Sequence, residues 1–398
     1  MTDLRVLEHE LRSLRAPDEG GAALRTWELA AAEFERFEPA APPAPRRRAL
    51  IAALAAVVVA AVAISPAGAT VARWVGDRFA SPGVKHAEPA LVSLPAPGRL
   101  LVDSRDGAWI VSSDGSKRLL GPYRDATWSP RGLFVAAVRG DSLIAMDTRG
   151  HVRWTLPRVP GPELPSWSPG DGFRVAYLSG SSLRVVGGDG TGDHLLARGA
   201  AAVAPAWRPG RAGSHVLSYA TTAGGVVTRN ADSGRVLWRA SAPASLLRWS
   251  ADGRVLLVFS QHRLELLGSR SGAILKYLSK GTGLRFSDAQ ISPDGRTLAL
   301  ARYETAADRS SVFLMDVRSR SWNARQAFAG VGRFDGVRWS PNGRWLLVTW
   351  RDADQWLFLR SAPAKRLTAV SSIGRAFAPD RTGAATFPAA GGWCCAPQ

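Results

Sequence analysis

Residues able to act as bases, metal ligands or nucleophiles are scattered along this chain. Histidines stand at His9, His86, His151, His194, His215 and His262. No two of them share the H-x-x-x-H spacing that sets a pair of imidazoles on one helical turn, and H-E-x-x-H does not occur, so a zinc hydrolase has no ligand set to start from. The two cysteines, Cys394 and Cys395, are adjacent. They cannot tie distant parts of a fold together, and no second cysteine pair or nearby histidine joins them to hold a metal. They read as part of a C-terminal tail, or as an intermolecular or vicinal disulfide. A serine hydrolase would show G-x-S-x-G on a strand-to-helix turn, and the chain has none. Gly187-Gly188-Asp189-Gly190-Thr191-Gly192-Asp193 has the look of a phosphate or calcium loop. Such loops need a helix N-terminus or spaced carboxylates, whereas here a strand follows, so a wide hairpin turn is expected. No catalytic, cofactor-binding or metal-binding residue is assigned, and no cofactor is implied.

The elements that would position any site are far clearer. Trp339-Ser340-Pro341-Asn342-Gly343 recurs, with variation, at Trp128, Trp167, Trp207, Trp249 and Ile291, and in worn form at Phe377-Ala378-Pro379-Asp380. Pro presets one backbone angle of a tight turn, Gly accepts a positive one, and Asp or Asn bonds its own backbone. The steps between copies are about 39, 40, 42, 42, 48 and 38 residues, the period of a four-stranded propeller blade. Between the turns run seven strand-turn-strand units: 108–120, 143–156, 183–197, 226–240, 264–278, 312–328 and 357–370. The expected fold is therefore all-β, a seven-bladed propeller over 90–388, with six or eight blades as alternatives because both end units are degenerate. A further turn-and-strand unit in Ser372–Pro388 has no hairpin after it. It is expected to pair with the first blade and close the ring, hiding a sheet edge. Residues 389–398 are left as a tail.

The N-terminal part differs in kind. Leu4, Leu7, Leu11 and Leu14 form one apolar stripe, and Leu24, Trp27, Ala31 and Phe34 another, so 1–45 reads as a short helical hairpin ending in a Pro/Ala linker. Its nine Asp/Glu against five Arg make it acidic, about −4, where the remainder is basic. Arg46, Arg47 and Arg48 abut the apolar run Ala49–Ile64. As a helix this run rises roughly 24 Å, and the small residues up to Ala72 can extend it toward the ~30 Å of a bilayer core. Residues 46–72 are thus expected to form a single transmembrane helix. The arginines keep the N-terminus cytoplasmic and put the propeller outside the cell membrane, beyond a juxtamembrane linker over 73–89. Cleavage near Ala67-Gly68-Ala69 is the competing reading.

The 398 residues are 46% apolar and carry a formal net charge of +18. Most of that charge is arginine spread through repeats and turns, which does not suit a nucleic-acid partner.

Ile291-Ser292-Pro293-Asp294-Gly295 followed by Arg296-Thr297-Leu298-Ala299-Leu300 resembles the WD40-like repeat of the TolB periplasmic protein (PD40 type) and of the propeller domain in dipeptidyl peptidase IV relatives. The resemblance spans about 90–388 and implies a propeller. The Trp-Asp pair of true WD40 repeats is missing, and TolB's α/β domain is replaced here by a hairpin and a membrane helix, so no family site residue carries over.

Together these features predict a membrane-anchored, extracytoplasmic, non-catalytic binding or scaffold module of a bacterial envelope, with a protein, peptide or glycan ligand. One alternative is a transmembrane regulator with the layout of an anti-sigma factor, the propeller sensing and residues 1–45 meeting a cytoplasmic partner. The other is a hydrolase using channel carboxylates. The longest step between copies carries Tyr303, Glu304, Asp308 and Arg309, the expected binding loop, since propeller ligands meet loops held by rigid blades. Trp345, Trp350 and Trp356 could add a stacking surface. Alternation along the strand sets Trp350 on the face opposite Trp345, so at least one of them is structural.

Overall fold

The computed structural model describes residues 93–395, apart from 171–172, 211–213, 280, 320, 362–366 and 379–384. The hairpin expected over 1–45, the apolar helix over 46–72 and the linker over 73–89 lie outside these residues. No helix among the described residues is long and apolar enough to cross a membrane.

Strands follow one another in antiparallel fours. β1 (Arg99–Ser104), β2 (Gly107–Val111) and β3 (Lys117–Gly121) begin the first blade. The second holds β4 (Arg124–Trp128), β5 (Phe134–Arg139), β6 (Ser142–Asp147) and β7 (Val152–Pro157), and the third β8 (Pro162–Trp167), β9 (Arg174–Ser179), β10 (Ser182–Gly187) and β11 (His194–Arg198). β12 (Ala206–Arg208), β13 (Val216–Ala220), β14 (Val226–Asn230) and β15 (Val236–Ala240) make the fourth. β16 (Leu246–Trp249), β17 (Val255–Phe259), β18 (Arg263–Gly268) and β19 (Ile274–Ser279) make the fifth. The sixth is β20 (Leu284–Ile291), β21 (Thr297–Glu304), β22 (Arg309–Asp316) and β23 (Ala324–Val331), and the seventh β24 (Phe334–Trp339), β25 (Trp345–Trp350), β26 (Gln355–Arg360) and β27 (Leu367–Ser371). A single-turn helix, α1 (Ile373–Ala376), leads on to β28 (Ala389–Cys394), which pairs with β1 and completes the first blade.

The sheets number seven, as the repeat count predicts. The innermost strands β28, β4, β8, β12, β16, β20 and β24 each approach the next, and β24 meets β28, so the blades form a closed circle. The apolar side chains fall into seven clusters, one between every pair of neighbouring blades. An open stack of seven blades would have six such interfaces. Middle strands are therefore buried on both faces, as in β2, β13 and β25, and read as near-continuous apolar runs, interrupted only by Ser218 in β13 and Thr349 in β25. Outermost strands such as β7 and β19 alternate because one face meets water.

Local chemistry explains the repeat. In Trp-Ser-Pro-Asn-Gly the serine is buried: Ser129, Ser168, Ser250, Ser292 and Ser340 are all at most 4% exposed. Each hydroxyl accepts a backbone N–H of the following strand, from Phe134, Arg174, Val255, Thr297 and Trp345 at 2.8–3.1 Å. Ser250, Ser292 and Ser340 also donate to Asp252, Asp294 and Asn342. Those side chains in turn accept the backbone N–H two residues on. A buried hydroxyl with both roles filled carries no desolvation penalty.

Every motif aromatic packs toward the preceding blade. The indole Nε1 of Trp128, Trp207 and Trp339 donates to the backbone carbonyls of Gly392, Ser166 and Gln290, at 3.2, 2.9 and 3.1 Å.

The ring closes elsewhere than expected. The closing strand is not in Ser372–Pro388 but in the segment read as a tail. Phe377 is not a worn motif aromatic: following α1, it is fully buried between Trp109 and Trp356 at the interface of the seventh and first blades. The aromatic of the split first repeat is Trp393, which faces Leu100 across the β28–β1 ladder. Cys394 and Cys395 follow it as a vicinal disulfide. Their sulfurs lie 4.0 and 3.5 Å from the carbonyls of Ser129 and Pro130 in the turn of the second blade.

Candidate functional site

The strand directions give the ring two unlike faces. One carries the Ser-Pro turns together with both ends of the described chain: Leu94 bonds Ser113 at 2.8 Å, and Cys394 ends beside Ser129. The other carries the hairpins between second and third strands and the links between blades.

On this second face the innermost strands carry β-bulges. The register slips between Arg124 and Thr127, Glu163 and Ser166, Phe286 and Asp288, and Phe334 and Gly336. A bulge leaves one residue unpaired and re-aims its side chain, a device common beside binding sites.

Blade six is the exception in size. Its strands each run eight residues, against three to six elsewhere, so the long step in the sequence is an extended sheet and not a loop. Its β21–β22 hairpin, turning over Thr305–Asp308, stands beside a cavity of about 410 Å³ lined by Gln261, Arg285, Tyr303, Thr305, Arg333 and Asp335 among others. Tyr303 donates its hydroxyl to Asp308 at 2.9 Å, and the Arg333 guanidinium lies over the Tyr303 ring, 5.5 Å from its centroid. The Arg333 N–H donates to Asp352, and Arg351 pairs with Asp335 at 2.5 Å. The result is a half-open polar mouth with two guanidiniums and one held phenol, suited to binding oxyanions or polar chain segments.

Of the expected loop residues, Tyr303 lines this mouth and Asp308 orients it. Glu304 and Arg309 face each other across the β21–β22 ladder, are exposed, and do not line the cavity. Sequence reasoning missed Arg285, Arg333, Gln261 and Asp335, which come from the start of β20, the link before β24, the β17–β18 turn and the start of β24. One signal was present: Arg285 and Arg333 stand at the same offset before Ile291 and Trp339, and no other repeat has arginine there.

The remaining candidates are structural. Trp345, Trp350 and Trp356 are at most 8% exposed. Trp345 and Trp356 pack between blades seven and one, and Trp350 between six and seven. The opposition of Trp345 and Trp350 holds, but none of the three offers a stacking surface. The glycine-rich stretch is the β10–β11 turn, with Thr191 bonded to Asp189 and Trp154 donating to Gly188 at 2.8 Å. Asp193 is held by Tyr177, Arg184 and Arg158, knitting blades two and three. His215 Nδ1 lies 2.6 Å from Asp232 Oδ2, half of a general-base arrangement. Its ring is wedged edge-on against Trp207 and its Nε2 is buried with no hydrogen-bond partner among the described residues, so no nucleophile is in reach.

In the ring wall, Asp288 links Arg248 of blade five to Arg338 of blade seven and accepts the Val337 N–H at 3.1 Å. Burial opposes its charge, but the two guanidiniums hold its carboxyl below the usual range. Arg248 is pulled down to about 10 by burial, against the attraction of Asp288.

No family model matches the chain, and no curated protein is detectably similar to it in sequence. Solved structures do share its shape. Hsv2 from Kluyvelomyces marxianus superposes with a TM-score of 0.50 at 11% identity, over 68% of this chain and 93% of that one. A chain of a mitotic checkpoint complex reaches 0.52 at 14% identity, over 71% and 100%. The chain is a seven-bladed β-propeller with WD40-like structural neighbours. At these identities the likeness concerns the fold alone.

Proposed function

We propose that this propeller is a non-catalytic binding or scaffold module, held at a membrane by residues 46–72, that takes an envelope protein, peptide or glycan at the Tyr303–Arg333 mouth. The observation that carries the reading is the placement of blade six. Its extended hairpin stands beside Arg285 and Arg333 on the face opposite both ends of the described chain. Both described ends lie on the Ser-Pro face, away from this mouth. The anchor itself is supported by Arg46–Arg48 before the apolar run Ala49–Ile64, an arrangement that directs the propeller outward. Polar-lined mouths on rigid blades fit recognition, with loops making contact and sheets fixing geometry.

The test uses the full chain in detergent micelles, titrated against peptide and glycan panels. Arg285→Ala with Arg333→Ala is expected to weaken the best ligand by about tenfold, as for loss of charge-assisted bonds, with an unchanged melting temperature. Turnover of a panel member at enzyme-like rates would sink the reading. In cells, external protease is expected to remove the propeller and spare an N-terminal tag.

A further inference from the structure

A second cleft opens on the same face between blades three and four, at about 730 Å³. It is separate from the Tyr303 mouth, and its test does not depend on that site. Strand register shows how it arises. Tyr219 faces Val227, and Val227 faces Arg239, so these three share one side of the fourth blade; Arg229, two residues beyond Val227, shares it too. That side packs on blade three, where Ala197 and Arg198 end β11. Three guanidiniums, Arg198, Arg229 and Arg239, therefore line one cleft, and no carboxylate is among the described residues that line it.

The three are held differently. Arg229 is fixed: its Nη1 donates to the Leu196 carbonyl at 2.6 Å, its Nη2 to the Tyr219 hydroxyl at 3.3 Å, and it lies over the Tyr219 ring. Its buried Nε has no partner among the described residues. Arg198 and Arg239 are exposed and make no ion pair among the described residues. The wall is rigid, because Thr222 donates its N–H to the Gly199 carbonyl at 2.9 Å and Ala200 bridges to Thr221, tying the two blades together. Ser241 adds a hydroxyl beside the backbone of Gly224 and Gly225, while the Thr221 and Thr222 hydroxyls donate to the Gly225 and Gly199 carbonyls and are left to accept from a ligand.

We propose that this cleft binds a short segment of anionic glycan, its oxyanions held by the guanidiniums and its hydroxyls by the threonines and Ser241. Guanidiniums match carboxylate, sulfate and phosphate in a planar fork. The volume is that of a drug-sized ligand, enough for a few linked sugars. A nucleic acid is disfavoured because recognition of single strands uses exposed aromatic platforms, and the cleft's one aromatic ring, Tyr219, is 3% exposed.

The test is calorimetric titration of the full chain in detergent with tetragalacturonate, its sulfated analogue and a glycerol-phosphate oligomer. Maltotetraose, tetraglutamate and a single-stranded DNA decamer serve as comparators. Binding of at least one anionic saccharide or polyol phosphate, weakening as salt rises, is expected. The first three probes tell carboxylate and sulfate from phosphate as the source. Arg198→Gln with Arg239→Gln is expected to lower that affinity by about tenfold or more without shifting the melting temperature. The proposal is overturned if the double variant binds as the parent does, if maltotetraose binds equally well, or if none of the anionic saccharides or polyol phosphates binds. Tighter binding of DNA or tetraglutamate also overturns it, reassigning the cleft to nucleic acid or acidic peptide.

Discussion

Trp393 stands opposite Leu100 across the β28–β1 ladder, in the same register that Trp339 has with Leu346 and Trp249 with Leu256. The first repeat is thus cut in two, its aromatic at the C-terminal end and its Pro97-Gly98-Arg99-Leu100-Leu101-Val102 turn and strand at the start of the ring. The last strand completes the first blade, so neither has a finished hydrogen-bond ladder alone.

Replacing that aromatic tests the closure. Trp393 is 8% exposed and meets Phe358 edge-on, at 5.7 Å between centroids. Trp393→Ala is expected to destabilise the chain by about 3–5 kcal/mol in denaturant unfolding, the usual loss for a buried Trp. Truncation after 388 removes β28, and is expected to leave the β1 edge exposed and the protein aggregating on size exclusion.

Asp288 supports a second prediction. Asp288→Asn leaves Arg248 and Arg338 facing each other with no counter-charge, which is expected to cost about 3–5 kcal/mol. Because the folded carboxyl is held below its ordinary range, the contribution is present at neutral pH and is lost as pH falls below about 4. Acid titration of stability should therefore be flatter in the variant than in the parent.

Asp103 works in the opposite direction. Burial, with the nearby charge of Asp125, pushes its carboxyl up to about 7, and its Oδ1 is buried without a hydrogen-bond partner among the described residues. Between the unfolded value near 3.8 and about 7 the folded state binds more protons, so stability falls as pH rises through that window and levels off above it. Asp103→Asn is expected to remove this slope and to be more stable than the parent at pH 8, by about 4 kcal/mol at most. A parent whose unfolding midpoint is the same at pH 5 and pH 8 would contradict this.

Two turn glycines separate backbone strain from crowding. Gly253 and Gly343 have nearly the same positive φ, 64° and 66°. A Cβ on Gly253 would lie 2.1 Å from the Pro209 carbonyl oxygen of the preceding blade, whereas on Gly343 it would meet only Pro293 at 3.6 Å. Gly343→Ala is expected to cost about 1–2 kcal/mol, the penalty for a left-handed alanine. Gly253→Ala is expected to cost clearly more, read as a larger fall in melting temperature.

The sequence by itself determined the blade and pointed to seven of them with six or eight left open; the pairing of β28 with β1 settled the count. Tight-turn residues recurring near every fortieth position, with apolar runs between, leave a chain few structures other than sheets packed face to face in a ring. It also singled out Tyr303 and Asp308 as candidates, because an irregular step marks where one repeat outgrows its neighbours.

What only the tertiary structure decided was everything that depends on which blades meet. Trp393 went unread because its repeat is divided between the two ends of the ring, where no local window joins Gly392-Trp393 to Pro97-Gly98. Phe377 looked like a motif aromatic, yet it follows a helical turn and fills a gap between blades. Arg285 reaches the mouth from the start of β20 and Arg333 from the link before β24, and Arg198 joins Arg229 and Arg239 only because blades three and four are neighbours. Periodicity records how each strand presents its faces to its own sheet. Convergence between sheets depends on bulges, closure and side-chain reach, which no spacing along the chain encodes.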